Sequence, residues 1–144
     1  LGAASVIVVG RTKLDRRSLV GAENYIKVEK YRTVTEEFEL NIEDIFKVIT
    51  EKNLTPIFCE SNGQSLADVN WKSRIEAMSL RGSQPCLIMG NETGGIPAEF
   101  LQLADVLPNG FIVSIPQRGV IRSFNVAVAH SIIAGHMCAS MGWM

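Results

Sequence analysis

Two glycine-containing segments hold the residues best suited to bind a small ligand. The first is Gly90-Asn-Glu-Thr-Gly-Gly-Ile96, and the second is Ile115-Pro-Gln-Arg-Gly119, which continues to Asn125. Each follows a short apolar run of the kind that forms a buried strand. Open α/β sheets bind ligands at the carboxyl ends of their strands, and glycine allows the backbone to approach a ligand closely. The pair of segments therefore predicts a shared pocket, although the first segment alone is equally consistent with a plain turn.

The two segments differ from the common phosphate-binding loops. Neither contains the G-K-[ST] of a Walker loop nor the pattern G-x-G-x-x-G. Ser123 and Asn125 lie where N-cap residues occur, just before an apolar run that begins at Val126. Capping of a final helix is therefore one explanation for both side chains, and ligand binding is the other.

Composition limits the class of protein. The 144 residues carry 14 basic and 15 acidic side chains, for a net charge of −1, and 47% are apolar. This length and apolar content predict one domain with one core, and they exclude disorder. The charge balance argues against an extended basic arm for nucleic acid. Three widely spaced cysteines and two histidines predict neither a disulfide framework nor a metal site. They favour a reducing compartment, the cytoplasm, with the nucleus or an organelle left open.

Apolar periodicity predicts strands that alternate with helices. Strands are expected at 6–9, 26–34, 56–59, 86–89 and 111–115. Helices are expected at 15–24, between Asn41 and Asn53, weakly over 67–80, at 97–103 and from 126 to about 141, with a turn at 61–63. The continuous apolar strands predict an α/β fold with a mostly parallel sheet and helices on both faces. Polar residues interrupt the apolar tail after Arg122, which favours a buried helix over a membrane span.

The two segments, extended to 87–96 and 115–129, resemble the second and third motifs of the SpoU (TrmH-like) branch of the SPOUT RNA methyltransferases. Those motifs have the approximate forms G-x-E-x-x-G and I-P-x-x-G-x-x-x-S-L-N-V-x-x-A. The resemblance implies transfer of a methyl group from S-adenosylmethionine to a ribose 2′-hydroxyl of tRNA or rRNA. The form I-P-Q-x-G-x-I-R-S is similar to that of the eukaryotic tRNA guanosine-2′-O members.

The resemblance also implies roles for individual residues. Cofactor contacts are expected from Gly90, Asn91, Gly95, Ile115, Gln117, Gly119, Ser123 and Phe124. Glu92, Ser123 and Asn125 are expected at the methyl-transfer site, where Asn125 would orient the ribose or a partner arginine and Glu92 would hold that arginine or an amide in place. Glu92 as an acceptor for loop N–H groups, and Ser123 as a cap, are the alternatives. RNA contacts are expected from Arg118 and Arg122, and from Arg11, Arg16 and Arg17, which otherwise form a solvated surface.

The resemblance implies a deep trefoil knot and a homodimer formed through the C-terminal helix and the knot. This chain departs from the family motifs in two ways. Phe124 replaces the usual leucine of the third motif. The first motif, N-x-G-x-x-x-R, would precede Leu1. Residues 1–144 are therefore expected to form a single SpoU-type domain without its first strand and first motif. Such a chain would bind the cofactor and methylate poorly or not at all.

The sequence leaves two other functions open. One is a catalytically silent knotted scaffold for RNA binding or dimerisation, and the other is a generic Rossmann-like nucleotide-binding domain. His130 and His136 lie among apolar residues of the predicted final helix, so we expect them in a packed core or interface and not as a general base. The cysteines are expected to act as small buried apolar residues.

Overall fold

The computed structural model describes residues 2–10, 25–37, 39–91, 94–120 and 123–144. Contacts between residues divide the chain into two compact units, Gly2–Val48 and Ile49–Met144. Several predictions fall outside the described residues, namely the helix at 15–24 and the roles of Arg11, Arg16, Arg17, Glu92 and Arg122. The single methyltransferase domain over 1–144 stays a prediction.

The N-terminal unit contains a pair of parallel strands. Strand β1 (Ser5–Gly10) pairs with β2 (Lys27–Arg32), which is shorter than the predicted strand at 26–34. At the end of β1, the N–H of Gly10 donates a hydrogen bond to Oγ1 of Thr33 at 2.8 Å. Helix α1 (Ile42–Glu51) begins in this unit, and Oδ1 of Asn41 accepts a hydrogen bond from the N–H of Asp44 at 3.2 Å. The predicted cap at Asn41 is therefore confirmed.

The C-terminal unit is built on a three-stranded parallel sheet with the order β4-β3-β5. The central strand is β3 (Leu54–Ser65), flanked by β4 (Gln84–Met89) and β5 (Phe111–Ser114). Ile57 of β3 pairs with Leu87 on one side and with Phe111 on the other. The prediction of an α/β fold with parallel strands is confirmed, whereas helices on both faces and the deep knot stay predictions.

The predicted turn at 61–63 is wrong. Strand β3 continues to Ser65, and its pairing with β5 is interrupted by a bulge between Cys59 and Gln64. A Cβ added at Gly63 would lie 2.6 Å from the backbone carbonyl carbon and oxygen of Ile112. Glycine is therefore required here by the close approach of two strands, and a Ser-Asn-Gly sequence can mark a bulge as well as a turn.

The described residues of this unit also form the helices α2 (Trp71–Leu80), α3 (Ala98–Leu101), α4 (Leu103–Val106) and α5 (Val126–Ser140). The predicted helix at 97–103 is thus two short helices, and Pro97 is the N-cap of the first. Trp71, Ile75 and Met78 of α2 are buried as expected. They belong to a core that also includes Ile57, Leu66, Val69, Phe111, Val113, Ile133, Met137 and Cys138. Among the described residues, no helix has the length and apolar character to cross a membrane.

Candidate cofactor site

The two glycine-containing segments meet in one cavity of about 230 Å³. The cavity lies at the carboxyl ends of β4 and β5 and beside the bulge of β3, as expected for an open α/β sheet. Its lining from the two segments consists of Gly90, Asn91 and Gly95 from the first, and of Ile115, Gln117, Ser123 and Phe124 from the second. The sequence predicts a crevice shared by both segments, and the structure contains it.

The first segment has a backbone that closes tightly on itself. The N–H of Gly95 donates to the carbonyl of Asn91 at 3.0 Å, and Oδ1 of Asn91 accepts from the N–H of Gly94 at 2.6 Å. A Cβ added at Gly90 would overlap the backbone carbonyl of Gly95. Gly95 itself has a φ of 64°, in the left-handed region that favours glycine. Glycine at both positions therefore brings bare backbone to the edge of the cavity.

The second segment contributes an apolar wall and polar side chains. Ile115 and Phe124 line the cavity with Gln117 and Ser123. Arg118 and Gly119 are exposed and are not part of the lining. A Cβ added at Gly119 would meet no atom within 4 Å, so close approach within the described structure does not require this glycine.

Ser123 and Asn125 have different surroundings. Asn125 is the N-cap of α5, since its Oδ1 accepts a hydrogen bond from the N–H of Ala127 at 2.9 Å. It is not among the residues that line the cavity. Ser123 lines the cavity, and it is not the cap. The capping explanation thus applies to Asn125, whereas the position of Ser123 is suited to ligand contact.

Sequence reasoning missed a second group of cavity residues. Glu60 lies in the β3 bulge, and its Oε1 accepts a hydrogen bond from the N–H of Ile96 at 2.7 Å. Helix α5 contributes apolar side chains, among them Val126 and Ile133. The signal for Glu60 was present, because it directly follows the predicted strand at 56–59 and so lies at the same sheet edge as the two segments. Because the sequence predicts a turn at 61–63, Glu60 is left out of the predicted pocket.

The chemistry of the described lining suits a nucleoside-like ligand. The described lining residues include no lysine or arginine, and most are apolar or carry an amide or hydroxyl group. Backbone groups, amides and apolar surface can recognise a purine ring and a ribose without compensating charge.

Residues 1–135 match the sequence profile of the SpoU rRNA Methylase family. The chain belongs to this family. The match covers most of the chain, including both glycine-containing segments and the first part of α5.

Solved structures of SpoU methyltransferases have the same fold. The chain is similar to AviRb from Streptomyces viridochromogenes in complex with AdoMet, with a TM-score of 0.69 and 19% identity over 97% of this chain and 48% of that chain. It is also similar to an AdoMet-bound rRNA methyltransferase from Sinorhizobium meliloti, with a TM-score of 0.68 and 25% identity over 96% of this chain and 46% of that chain. The chain therefore spans about half the length of these proteins.

One relative is similar over a shorter segment. The mouse (Mus musculus) tRNA (guanosine(18)-2′-O)-methyltransferase TARBP1 is 47% identical over 47 residues, which are 33% of this chain and 3% of that protein.

In this member of the SpoU family, burial opposes ionisation of the cysteine that lines the cavity. Burial, followed by the neighbouring Cys86 and Glu60, raises the pKa of the Cys59 thiol to about 12. Burial also raises the pKa of the Cys86 thiol to about 11. Because the thiolate is the reactive form of cysteine, both side chains behave as small apolar groups in the sheet.

Proposed function

We propose that this SpoU domain binds S-adenosylmethionine in the cavity and transfers its methyl group to a ribose 2′-hydroxyl of tRNA or rRNA. The observation that carries the proposal is the meeting of both family motifs in one cavity. The proposal is further supported by the AdoMet complexes of two structures with the same fold. S-adenosylmethionine supplies an activated methyl group on a sulfonium sulfur.

The proposed cofactor contacts are those of the two motifs. They comprise Gly90, Asn91, Gly95, Ile115, Gln117, Gly119, Ser123 and Phe124. A side chain at Gly90 would overlap the backbone of Gly95, so the tight backbone of the first motif requires glycine at this position. The apolar wall at Ile115 and Phe124 is suited to a purine ring, and Gln117 and Ser123 offer hydrogen-bonding groups.

The proposed catalytic residues are Glu92, Ser123 and Asn125. Methyl transfer requires alignment of the ribose hydroxyl and removal of its proton. Capping holds the Asn125 side chain in one orientation at the start of α5, because Oδ1 is engaged with Ala127. An amide fixed in this way is suited to orienting a ribose or a neighbouring arginine.

The proposed RNA contacts are Arg11, Arg16, Arg17, Arg118 and Arg122. Among them Arg118 is exposed in the second motif, next to the cavity residue Gln117. A guanidinium group in that position is suited to a phosphate near the target ribose. The similarity to TARBP1 supports tRNA guanosine as the finer substrate, and we propose the cytoplasm as the compartment, with the nucleus or an organelle as alternatives.

We further propose a homodimer that uses α5 and the knotted region. Ile133 and Met137 bury one side of α5 in the core. Val128 and Ile132 lie on the same helix and are 47% and 36% exposed. A helix that is apolar beyond its core-facing side is suited to burial against a second copy.

Two measurements test the proposed function. Calorimetric titration of the 144-residue chain with S-adenosylmethionine should give saturable binding, which Gly90→Ala should weaken by its overlap with Gly95. Gly135→Ala is the matched control, since its added Cβ meets no atom within 4 Å. The native protein that contains these residues should then transfer a radiolabelled methyl group to tRNA or rRNA, with the label recovered in a 2′-O-methyl nucleoside after nuclease digestion.

Each outcome separates the candidate functions. Absence of saturable binding rejects the cofactor assignment. Binding without methyl transfer by the native protein supports the catalytically silent scaffold, and label recovered on a base rejects ribose methylation.

A further inference from the structure

Glu60 connects the β3 bulge to the first motif. Its Oε1 accepts a hydrogen bond from the backbone N–H of Ile96 at 2.7 Å, across 36 residues of sequence. Glu60 and Gly95 both line the cavity, and Ile96 is buried directly after Gly95. A hydrogen bond from an N–H to a carboxylate is stronger than one between neutral groups. Glu60 therefore fastens the end of the first motif to the sheet.

The absence of a side chain at Gly95 leaves the space that the carboxylate of Glu60 occupies. A Cβ added at Gly95 would lie 2.6 Å from Oε1 of Glu60, the same atom that holds Ile96. The φ of 64° at Gly95 turns the backbone so that the next N–H faces the carboxylate. A side chain at residue 95 would disturb both the backbone conformation and the contact. The glycine of the family motif thus leaves room for a carboxylate that lies outside the motif.

We propose that Glu60 is a positioning residue for the methyl donor, an inference that rests on the proposed function. Through the N–H of Ile96 it holds the backbone of Gly90, Asn91 and Gly95 in the arrangement that lines the cavity. The acceptor oxygen performs this role, and the negative charge strengthens the same bond. Glutamine at this position retains an acceptor oxygen at the same reach, whereas alanine removes it.

The first measurement concerns the hydrogen bond itself and needs no cofactor. Amide hydrogen exchange of Ile96 is compared in the wild-type chain, Glu60→Gln, Glu60→Ala and the control Glu76→Gln, which changes an exposed carboxylate on α2. We expect protection in wild type, the control and Glu60→Gln, and exchange about tenfold faster or more in Glu60→Ala. Circular dichroism and thermal unfolding confirm that each variant is folded.

The second measurement is the affinity for S-adenosylmethionine by calorimetry. Glu60→Ala is expected to weaken binding about tenfold or more, and Glu60→Gln is expected to restore it to within about threefold of wild type. Gly95→Ala should also weaken binding. It should cost less when introduced into Glu60→Ala than into wild type, since the clash with Oε1 is then absent.

The outcomes distinguish this inference from the proposed function. If wild type binds S-adenosylmethionine and Glu60→Ala binds it equally well, the positioning role is overturned. Equal losses in Glu60→Gln and Glu60→Ala would likewise overturn it, because charge and not the acceptor geometry would then be required. If wild type itself does not bind, the proposed function fails, and the exchange of the Ile96 amide still decides whether Glu60 holds the loop.

Discussion

The indole Nε1 of Trp71 donates a hydrogen bond to Nδ1 of His136 at 3.1 Å, joining α2 to α5 across 65 residues of sequence. An indole N–H can only donate, so Nδ1 of the imidazole is the acceptor and the ring proton lies on Nε2. Trp71 is only 1% exposed, and its ring also contacts Phe111 at a centroid distance of 5.9 Å. His136 therefore has a structural partner, which agrees with the expectation of a packed histidine.

Removal of this acceptor should destabilise the fold. His136→Phe keeps a planar ring and leaves the buried indole N–H without a partner, so we expect a loss of about 1–3 kcal/mol in the free energy of unfolding. His130→Gln on the same helix is the control, with an expected change within about 0.5 kcal/mol. Urea unfolding followed by tryptophan fluorescence measures both values, and equal stabilities would show that the bond contributes nothing.

The β3 bulge should not tolerate a side chain at Gly63. An added Cβ would lie 2.6 Å from the Ile112 carbonyl, so Gly63→Ala must push β3 and β5 apart, and we expect a loss of about 1–3 kcal/mol. Gly135→Ala has open space and lies inside α5, where alanine favours the helix by up to about 1 kcal/mol. We therefore expect the denaturant midpoint to fall in Gly63→Ala and to rise in Gly135→Ala. A neutral Gly63→Ala would contradict the close approach of the strands.

Substitution of Asn125 separates capping from catalysis. Asn125→Ala removes the cap of α5 and should cost about 1 kcal/mol of stability, whereas Asn125→Ser retains a good capping side chain. If the amide also orients the reacting groups, both variants of the native protein should lose about 100-fold in methyl transfer. Thermal unfolding and single-turnover methylation measure the two effects. Wild-type turnover in Asn125→Ser would leave Asn125 as a cap alone.

The reactivity of Cys59 should depend steeply on pH. With a pKa of about 12, raised from 9.0, its thiolate fraction at pH 8 is about a thousandfold below that of an unperturbed thiol. Alkylation by iodoacetamide should be slower by that factor in the folded chain, and it should rise about tenfold per pH unit until the fold or the thiol titrates. Peptide mapping follows Cys59, with urea-unfolded protein as the control. Equal rates in the two states would contradict the raised pKa.

The dimer proposal predicts a change of mass when α5 becomes polar. Ile132→Glu introduces a charge into the exposed apolar part of the helix, and burial of an unpaired charge in an interface is costly. Light scattering after size exclusion should give a dimer for wild type and a monomer for this variant. Glu99→Gln, which changes an exposed residue of α3, should remain dimeric. A monomeric wild type would reject the dimer.

The sequence by itself determined the class of fold, the positions of most strands along the chain and the family resemblance. Helices and apolar strands follow local periodicity, so Asn41 as a cap and Trp71, Ile75 and Met78 as buried residues could be predicted without coordinates. The two motifs are short and contiguous, and a contiguous pattern can be recognised wherever it lies in the fold. The shared cavity could also be anticipated, because the carboxyl ends of parallel strands lie at one edge of the sheet.

Only the tertiary structure decided which side chains meet. It decided that Asn125 caps α5 while Ser123 reaches the cavity, although both residues fit a capping position in the sequence. It also decided that Gly63 belongs to a bulge, and that Glu60 holds the backbone of Ile96. These contacts join residues that are tens of positions apart, and the spatial register of neighbouring strands and loops determines them. The local apolar pattern restricts which face of a strand is buried, but it does not show which distant residues become neighbours when the sheet is assembled.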